Sequence, residues 1–144
     1  MRITGPSSAV LLAALAFVAS AAKAPETPIS VLSDLSGALS NNNIAVALTA
    51  FDSKMPGYGT IEQNLEAITQ QDDVSSAIDV VSDEEAAGVH KLDLDWLLQL
   101  TARADTNQAD RRRVRVHVEM RQIKGKWKIT ALEPVSIFDP LQVK

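Results

Sequence analysis

Apolar and polar residues alternate near the end of the chain with a period of two, which is typical of a half-buried β-strand. Four alternate positions of the first run are apolar, namely Val114, Val116, Val118 and Met120. Lys124 and Gly125 then form a two-residue turn, and a second alternating run begins at Trp127. The pattern predicts an antiparallel hairpin.

The turn and the apolar pattern select the same register for this hairpin. With two residues in the turn, Met120 lies opposite Ile129 and Val118 lies opposite Ala131. Two independent features thus agree on which side chains share the buried face. Pro134 is expected to end or bulge the last strand, because proline cannot donate a ladder hydrogen bond.

The residues that precede the strands have the apolar spacing of α-helices. Thr27 precedes a proline, so it is expected to cap a first helix that starts at Pro28. Asn43 is placed to cap a second helix, which the apolar spacing predicts over residues 44–55. Thr60, with a glutamine three residues later, predicts a capping box at the start of a third helix.

Two further strands are predicted between the helices and the hairpin. The first is short, over residues 75–82, and residues 82–85, Ser-Asp-Glu-Glu, with Gly88 form its turn. The second, over residues 92–100, alternates apolar and polar positions, and only Leu97 is apolar on its polar face. Helices followed by strands indicate an α+β fold, with the helices packed on one face of a curved four-stranded antiparallel sheet.

The beginning of the chain has the features of a secretory signal peptide. Arg2 gives a positive start, and residues 9–22 form an uncharged apolar run shorter than the roughly 20 residues of a spanning helix. Residues 19–21, Ala-Ser-Ala, have the small-x-small form of a cleavage site, so the mature chain is expected to begin at Ala22. An uncleaved anchor helix remains the alternative.

This interpretation divides the chain into a signal peptide, residues 1–21, a short tether, residues 22–27, and one domain, residues 28–144. The protein is then expected to be periplasmic or secreted, without stable insertion in a membrane after cleavage. The sequence has no cysteine, so no disulfide can form. The 14 basic and 18 acidic residues give a net charge of −4, a poor electrostatic match for nucleic acid.

With these elements in place, the chain resembles the nuclear transport factor 2-like superfamily, whose fold is also called cystatin-like. The resemblance rests on the helices followed by a four-strand meander, above all the strand over residues 92–100 and the closing hairpin with its Lys-Gly-Lys-Trp-Lys segment. It implies a cone whose open end can hold a small apolar ligand. The superfamily includes ketosteroid isomerases, dehydratases, polyketide cyclases, transport adaptors and many non-catalytic domains, so the resemblance alone does not select a function.

A cone of this kind would be lined by large side chains from the helices and from the apolar face of the sheet. The expected lining residues are Phe51, Tyr58, His90, Leu94, Trp96, Leu98, Met120 and Trp127. For Trp96 and Trp127, a place in a filled core is the competing interpretation. His90 shares the strand parity of Trp96, so it is expected at the pocket mouth or at the edge of the core.

The residue pattern gives little support for a catalytic site. Asp79, Asp93, Asp95 and His117 fall on the polar face of their strands and are expected to be solvated. Two histidines without cysteine offer no short metal-ligand spacing, so no catalytic, cofactor or metal residue is assigned and no cofactor is expected. The basic cluster at 111–113 with Arg115 is expected to form surface ion pairs.

These expectations together describe an exported, non-enzymatic domain that binds a small apolar ligand or a protein partner. The alternative is a small isomerase, hydrolase or cyclase that acts on an apolar ring substrate in the cone. The charged outer face of the sheet predicts a monomer or a weak dimer, because a tight sheet-to-sheet dimer would bury many charges.

Overall fold

A computed structural model of the protein describes residues 25–141, and the predicted signal peptide lies outside these residues. Three helices precede four strands: α1, Pro28–Ser40; α2, Ile44–Leu48; α3, Tyr58–Gln71; β1, Asp72–Ala86; β2, Val89–Ala102; β3, Ala109–Ile123; and β4, Lys126–Glu133. A short 3-10 helix, Val135–Phe138, follows β4. No helix within the described part of the chain is long and apolar enough to span a membrane.

The strands form one curved antiparallel sheet in the order β1-β2-β3-β4, and the helices come before it, which confirms the predicted fold class. The β3–β4 hairpin turns at Lys124 and Gly125 as predicted, with φ of 53° and 82°. Positive φ at both central residues gives the primed turn that matches the right-handed twist of the strands. Met120 lies opposite Ile129, also as predicted.

The rest of the predicted hairpin register was wrong by one residue. Val118 lies opposite Leu132, and Ala131 lies opposite Glu119, because the register shifts between Glu119 and Met120. Thr130 has no partner in β3, so it forms a β-bulge. The bulge turns the large Leu132 side chain into the core in place of a methyl group.

Strand β1 extends beyond both predicted ends. The acidic residues expected to form a turn lie within the strand, and the turn is the dipeptide Ala87-Gly88, with φ of 53° and 81°. Polar side chains are tolerated there because β1 is an edge strand whose last residues are exposed. Val81 has no partner in β2 and forms a second bulge.

The helices confirm two of the three predicted starts. Thr27 caps α1, its side chain accepting from the Ser30 N–H at 3.0 Å, and Asn43 caps α2. The predicted start of the third helix at Thr60 was wrong, because α3 begins at Tyr58, with Gly57 at the cap position (φ of 82°) and no side-chain cap hydrogen bond.

The second helix is much shorter than predicted. It ends at Leu48, and the backbone then turns away to pair with β4. The Asp52 N–H donates to the Ile129 carbonyl at 2.9 Å, and the Ile129 N–H donates to the Ala50 carbonyl at 2.8 Å. Phe51 and other apolar residues of the predicted helical stripe are still buried. The non-helical backbone thus places these side chains in the core as the predicted helix would have done.

Candidate functional site

The expected cone interior is occupied by side chains. Leu94, Trp96 and Met120 have no exposed surface, and Leu98 is buried beside them. The Trp96 ring packs edge-on against Phe138, with 5.4 Å between ring centroids. These predicted lining residues therefore lie together within the hydrophobic core.

Phe138, which the sequence analysis did not select, closes this core. It is fully buried and also packs edge-on against Phe51, at 6.3 Å between centroids. The signal in the sequence was weak, an apolar pair after Pro134 outside any periodic run. The 3-10 helix carries Phe138 back into the core, where its ring packs against Phe51 and Trp96.

His90 and Trp127 lie together away from this packed centre. Their rings meet edge-on with 4.9 Å between centroids, and both residues are half-buried. His90 Nδ1 lies 2.8 Å from Asp83 Oδ1. The backbone N–H of Trp127 donates to Glu26 Oε1 at 2.9 Å, which ties the segment before α1 to β4.

Tyr58 is half-buried at the first position of α3 and packs against the core. Burial raises the pKa of its phenol above the ordinary value, and the nearby Glu62 adds to this. The phenol is protonated at neutral pH, as it is at its ordinary pKa, and can donate a hydrogen bond.

Hydroxyl groups connect the core to helix α1. The Trp96 Nε1–H donates to Ser76 Oγ at 2.9 Å, and the same oxygen lies 2.9 Å from Ser36 Oγ on α1. Ser36 Oγ also donates to the Ser76 carbonyl at 2.9 Å, and Ser40 Oγ accepts from the Ser76 N–H at 3.0 Å. These bonds hold the C-terminal half of α1 against β1.

Helix α1 borders an open cleft beside β1 from Ile29 to Gly37, with a volume of about 410 Å³. We call it the α1–β1 cleft, and its walls are formed by Ile29, Leu32, Ser33, Ser36, Gly37, Ala77, Ile78 and Val80. The walls are mainly apolar, and Ile29 is 51% exposed. This volume lies within the range of small-molecule sites.

A glycine in the wall of this cleft adds to the open space. Gly37 lies inside α1, where glycine costs roughly 0.5–1 kcal/mol relative to alanine. A Cβ built at Gly37 would meet no atom within 4 Å, so packing does not require the missing side chain.

The aspartates of the polar sheet face are at least partly exposed, as predicted, and two are paired. Asp95 binds Arg113, with Nη2 to Oδ2 at 2.8 Å, and Asp93 binds His117. Both pairings lower the carboxyl pKa, chiefly through the hydrogen bond from the basic partner. These groups are therefore ionised surface charges at neutral pH.

The basic cluster divides between the two faces of the sheet because strand residues alternate. Arg113 pairs on the outer face as expected, whereas Arg112 points inward and is only 14% exposed. Its guanidinium donates to Asp110 at 2.7 Å and to the Ile137 carbonyl at 2.6 Å, which anchors the 3-10 helix. Among the described residues, no group of three potential ligands is placed to hold a metal ion.

The chain matches no model of a known protein family, and no curated protein is similar in sequence. Solved structures do resemble it. A conserved protein from Planctomyces limnophilus has a TM-score of 0.64 and 11% identity, over 72% of this chain and 88% of that one. A ketosteroid isomerase-like protein from Erwinia carotovora atroseptica has a TM-score of 0.56 and 10% identity, over 72% and 88%.

A protein of unknown function with a cystatin-like fold, from Nostoc punctiforme, gives a TM-score of 0.50 and 15% identity, over 72% of this chain and 84% of that one. At these identities the likeness establishes the fold alone. The chain therefore has the nuclear transport factor 2-like, or cystatin-like, fold. Structures that share it include a protein described as enzyme-like, so its function must be argued from the site.

Proposed function

We propose that this protein is an exported, non-enzymatic binding domain, and that its site is the α1–β1 cleft, which holds an apolar ligand. The observation that carries the proposal is the contrast between two spaces. The cone centre is filled by Trp96 and Phe138, whereas the cleft beside it is open and apolar. An apolar cleft with a few polar groups is the usual form of a small-molecule site.

The chemistry of the cleft favours binding over catalysis. Its wall has two serine hydroxyls but no carboxylate or imidazole. Ser36 is already engaged with Ser76, so it can orient a ligand but has no base beside it to activate it as a nucleophile. Export is inferred from the charged start, the apolar run and the Ala-Ser-Ala site of the sequence.

A titration with N-phenyl-1-naphthylamine, a neutral apolar fluorophore, tests the binding proposal. We expect saturable fluorescence with one site per chain. Gly37→Met fills the space beside the cleft, and Ile29→Thr removes a half-exposed apolar wall residue, so each variant should weaken binding by about tenfold, or 1.4 kcal/mol.

Gly59→Met is the matched control, because Gly59 is also helical and a Cβ there also meets no atom within 4 Å. It should bind the fluorophore as the original protein does. Equal affinity of the Gly37 and Gly59 variants, or no saturable binding at all, would contradict the proposal.

A second candidate is an isomerase-like activity at His90. Its Nδ1 contacts Asp83, and a carboxylate in this position can orient an imidazole that acts as a general base. The neighbouring Trp127 offers an apolar surface to a ring substrate. If this candidate holds, the protein should catalyse loss of deuterium from α-deuterated cyclohexanone, and His90→Gln should slow the exchange by about 100-fold. Under the binding proposal, neither protein exceeds the buffer rate.

A further inference from the structure

Strand β1 is an edge of the sheet, and only part of its open side is covered. At Ser76 the backbone N–H and C=O that point away from β2 are both satisfied, by Ser40 and Ser36 of α1. The two backbone groups of a residue in an antiparallel strand point to the same side, and alternate residues repeat that direction. Ile78 and Val80 therefore point their N–H and C=O groups to the same open side as Ser76.

No hydrogen bond from elsewhere in residues 25–141 reaches these groups of Ile78 and Val80. Unpaired strand edges are templates for an added strand. The stretch from Ile78 to Val80 has neither proline nor lysine, and the bulge at Val81 ends this regular part of the edge. Beyond Val80 the bulge at Val81 leaves that side chain 50% exposed. The open edge therefore begins where the cover of α1 ends.

The open edge lies along the α1–β1 cleft. Ile78 and Val80 belong both to the edge and to the wall of the cleft. Side chains of an added strand alternate between the two faces of the sheet. Side chains of the added strand on the inner face would therefore reach the cleft. Those on the other face would lie on the outer face of the sheet.

The charge of β1 selects the chemistry of the partner. The strand has six acidic residues and no basic one, the acidic residues being Asp72, Asp73, Asp79, Asp83, Glu84 and Glu85. Asp73 is paired with Arg103 and Asp83 with His90, whereas no ion pair within residues 25–141 engages Asp79 or Glu84.

Asp79 faces another acidic residue across the sheet. It lies directly opposite Asp95 in β2, and like charges in that relationship are destabilising. Asp79 is exposed and makes no hydrogen bond within the described residues, and the nearby Arg113, which is paired with Asp95, attracts it and offsets part of this repulsion. A second copy of this chain is a poor occupant of the edge, because pairing β1 with β1 would oppose acidic residues with acidic residues.

We propose that the edge of β1 beyond Ser76 binds an extended basic segment of another protein as an added β-strand, with one apolar side chain of that segment seated in the α1–β1 cleft. Main-chain hydrogen bonds to Ile78 and Val80 supply affinity, and the cleft and the acidic residues supply specificity. This inference rests on the proposed function, since it names the apolar group that the cleft receives.

The test uses a capped ten-residue peptide that alternates lysine with threonine and has a single leucine at its centre. Its affinity for residues 22–144 is measured by calorimetry at low and high salt. Asp79→Asn with Glu84→Gln should weaken binding by about tenfold, and Asp34→Asn with Glu66→Gln, which removes the same charge from exposed helical positions, should leave it unchanged. High salt should weaken binding to the original protein.

Two modified peptides separate a strand from a simple charge contact. Two peptides are N-methylated at every second residue, one at odd and one at even positions. Each keeps its charge but loses half of its main-chain donors, and one of the two should bind at least about tenfold more weakly. A peptide with alanine for leucine should lose affinity for the original protein but not for Gly37→Met. Equal binding of all peptides, or equal effects of the two charge variants, would overturn the inference.

Failure of this inference is distinguishable from failure of the proposed function. If the neutral fluorophore binds in the cleft and the basic peptide does not, the cleft serves a free apolar molecule and the edge has no role. If neither binds, both proposals fail. If the protein instead self-associates through β1, cross-linking of copies will show a second copy as the occupant, which contradicts the inference.

Discussion

The indole N–H of Trp96 donates to the hydroxyl of Ser76 at 2.9 Å, from the centre of β2 to the edge strand β1. The bond satisfies the only polar atom of a side chain that is otherwise enclosed by the core. Because Ser36 of α1 bonds to the same hydroxyl, the core residue and the first helix are held through one oxygen atom.

Trp96→Ala should lower the free energy of unfolding by about 3–5 kcal/mol, because Trp96 has no exposed surface. Ser76→Ala should cost about 1–3 kcal/mol, since it leaves the indole N–H buried without a partner. Urea unfolding measures both changes. Trp127→Ala is the control, because the Trp127 ring is only half-buried and its removal should lower the free energy of unfolding by less. A loss below about 1 kcal/mol for Trp96→Ala would be inconsistent with this burial.

Replacing Gly37 or Gly125 by alanine should change the stability of the protein in opposite directions. Gly37 is helical with open space around its Cβ position, so Gly37→Ala should stabilise the protein by about 0.5–1 kcal/mol. Gly125 has a φ of 82° in the β3–β4 turn, so Gly125→Ala should destabilise it by more than about 1 kcal/mol. Thermal and urea unfolding compare the two, and a stabilised Gly125→Ala protein would show that the turn differs from this one.

Elements with a regular period and a defined end were predictable from sequence. The β3–β4 turn needs positive φ at two residues, and Lys-Gly between alternating runs marks such a turn. The cap at Thr27 was equally local, since the hydroxyl and the following proline suffice to identify it. The fold class followed from the order of these elements.

The errors arose where tertiary contacts decided the local structure. The apolar spacing from Ile44 to Met55 fits a helix, but backbone pairing of residues 50–52 with β4 ends that helix at Leu48. The bulge at Thr130 has no sequence marker, and it altered the register beyond Met120. The α1–β1 cleft depends on how α1 packs against β1, which no periodicity encodes. Five of the predicted lining residues, Phe51, Leu94, Trp96, Leu98 and Met120, lie within the core.

Asp72 should make stability depend on pH. It is 2% exposed, and burial raises the pKa of its carboxyl above the usual value, with Arg103 and Arg112 opposing the shift only in part. The folded state therefore disfavours the charged form, and the contribution of this group to stability is lost as pH rises through the folded pKa. Asp72→Asn should thus gain in stability relative to the original protein as pH rises from about 4 to 7.

Urea unfolding at several pH values tests this expectation. Asp34→Asn is the control, since Asp34 is an exposed aspartate that does not contribute to the pKa shift of Asp72. A stability difference between Asp72→Asn and the original protein that stays constant with pH would mean that the carboxyl is not desolvated.

Export should remove the first 21 residues. The small residues at 19 and 21 fit the pocket of a signal peptidase, so secreted protein should have the intact mass of residues 22–144. Ala19→Asp should block cleavage, because the site requires a small neutral side chain. Mass spectrometry of the soluble and membrane fractions tests this, and a membrane-bound protein that retains residues 1–21 would support the anchor alternative instead.

The outer face of the sheet should not support a tight dimer. It carries the pairs Arg113–Asp95 and His117–Asp93, and a sheet-to-sheet interface would have to desolvate both. We expect a monomer, or a weak dimer that dissociates further in high salt as surface charges are screened. Half-buried Leu97 is the apolar exception on this face, so Leu97→Lys should abolish any residual association. Sedimentation equilibrium at low and high salt decides the matter, and a dimer that is tight at both would mean that apolar contacts dominate the interface.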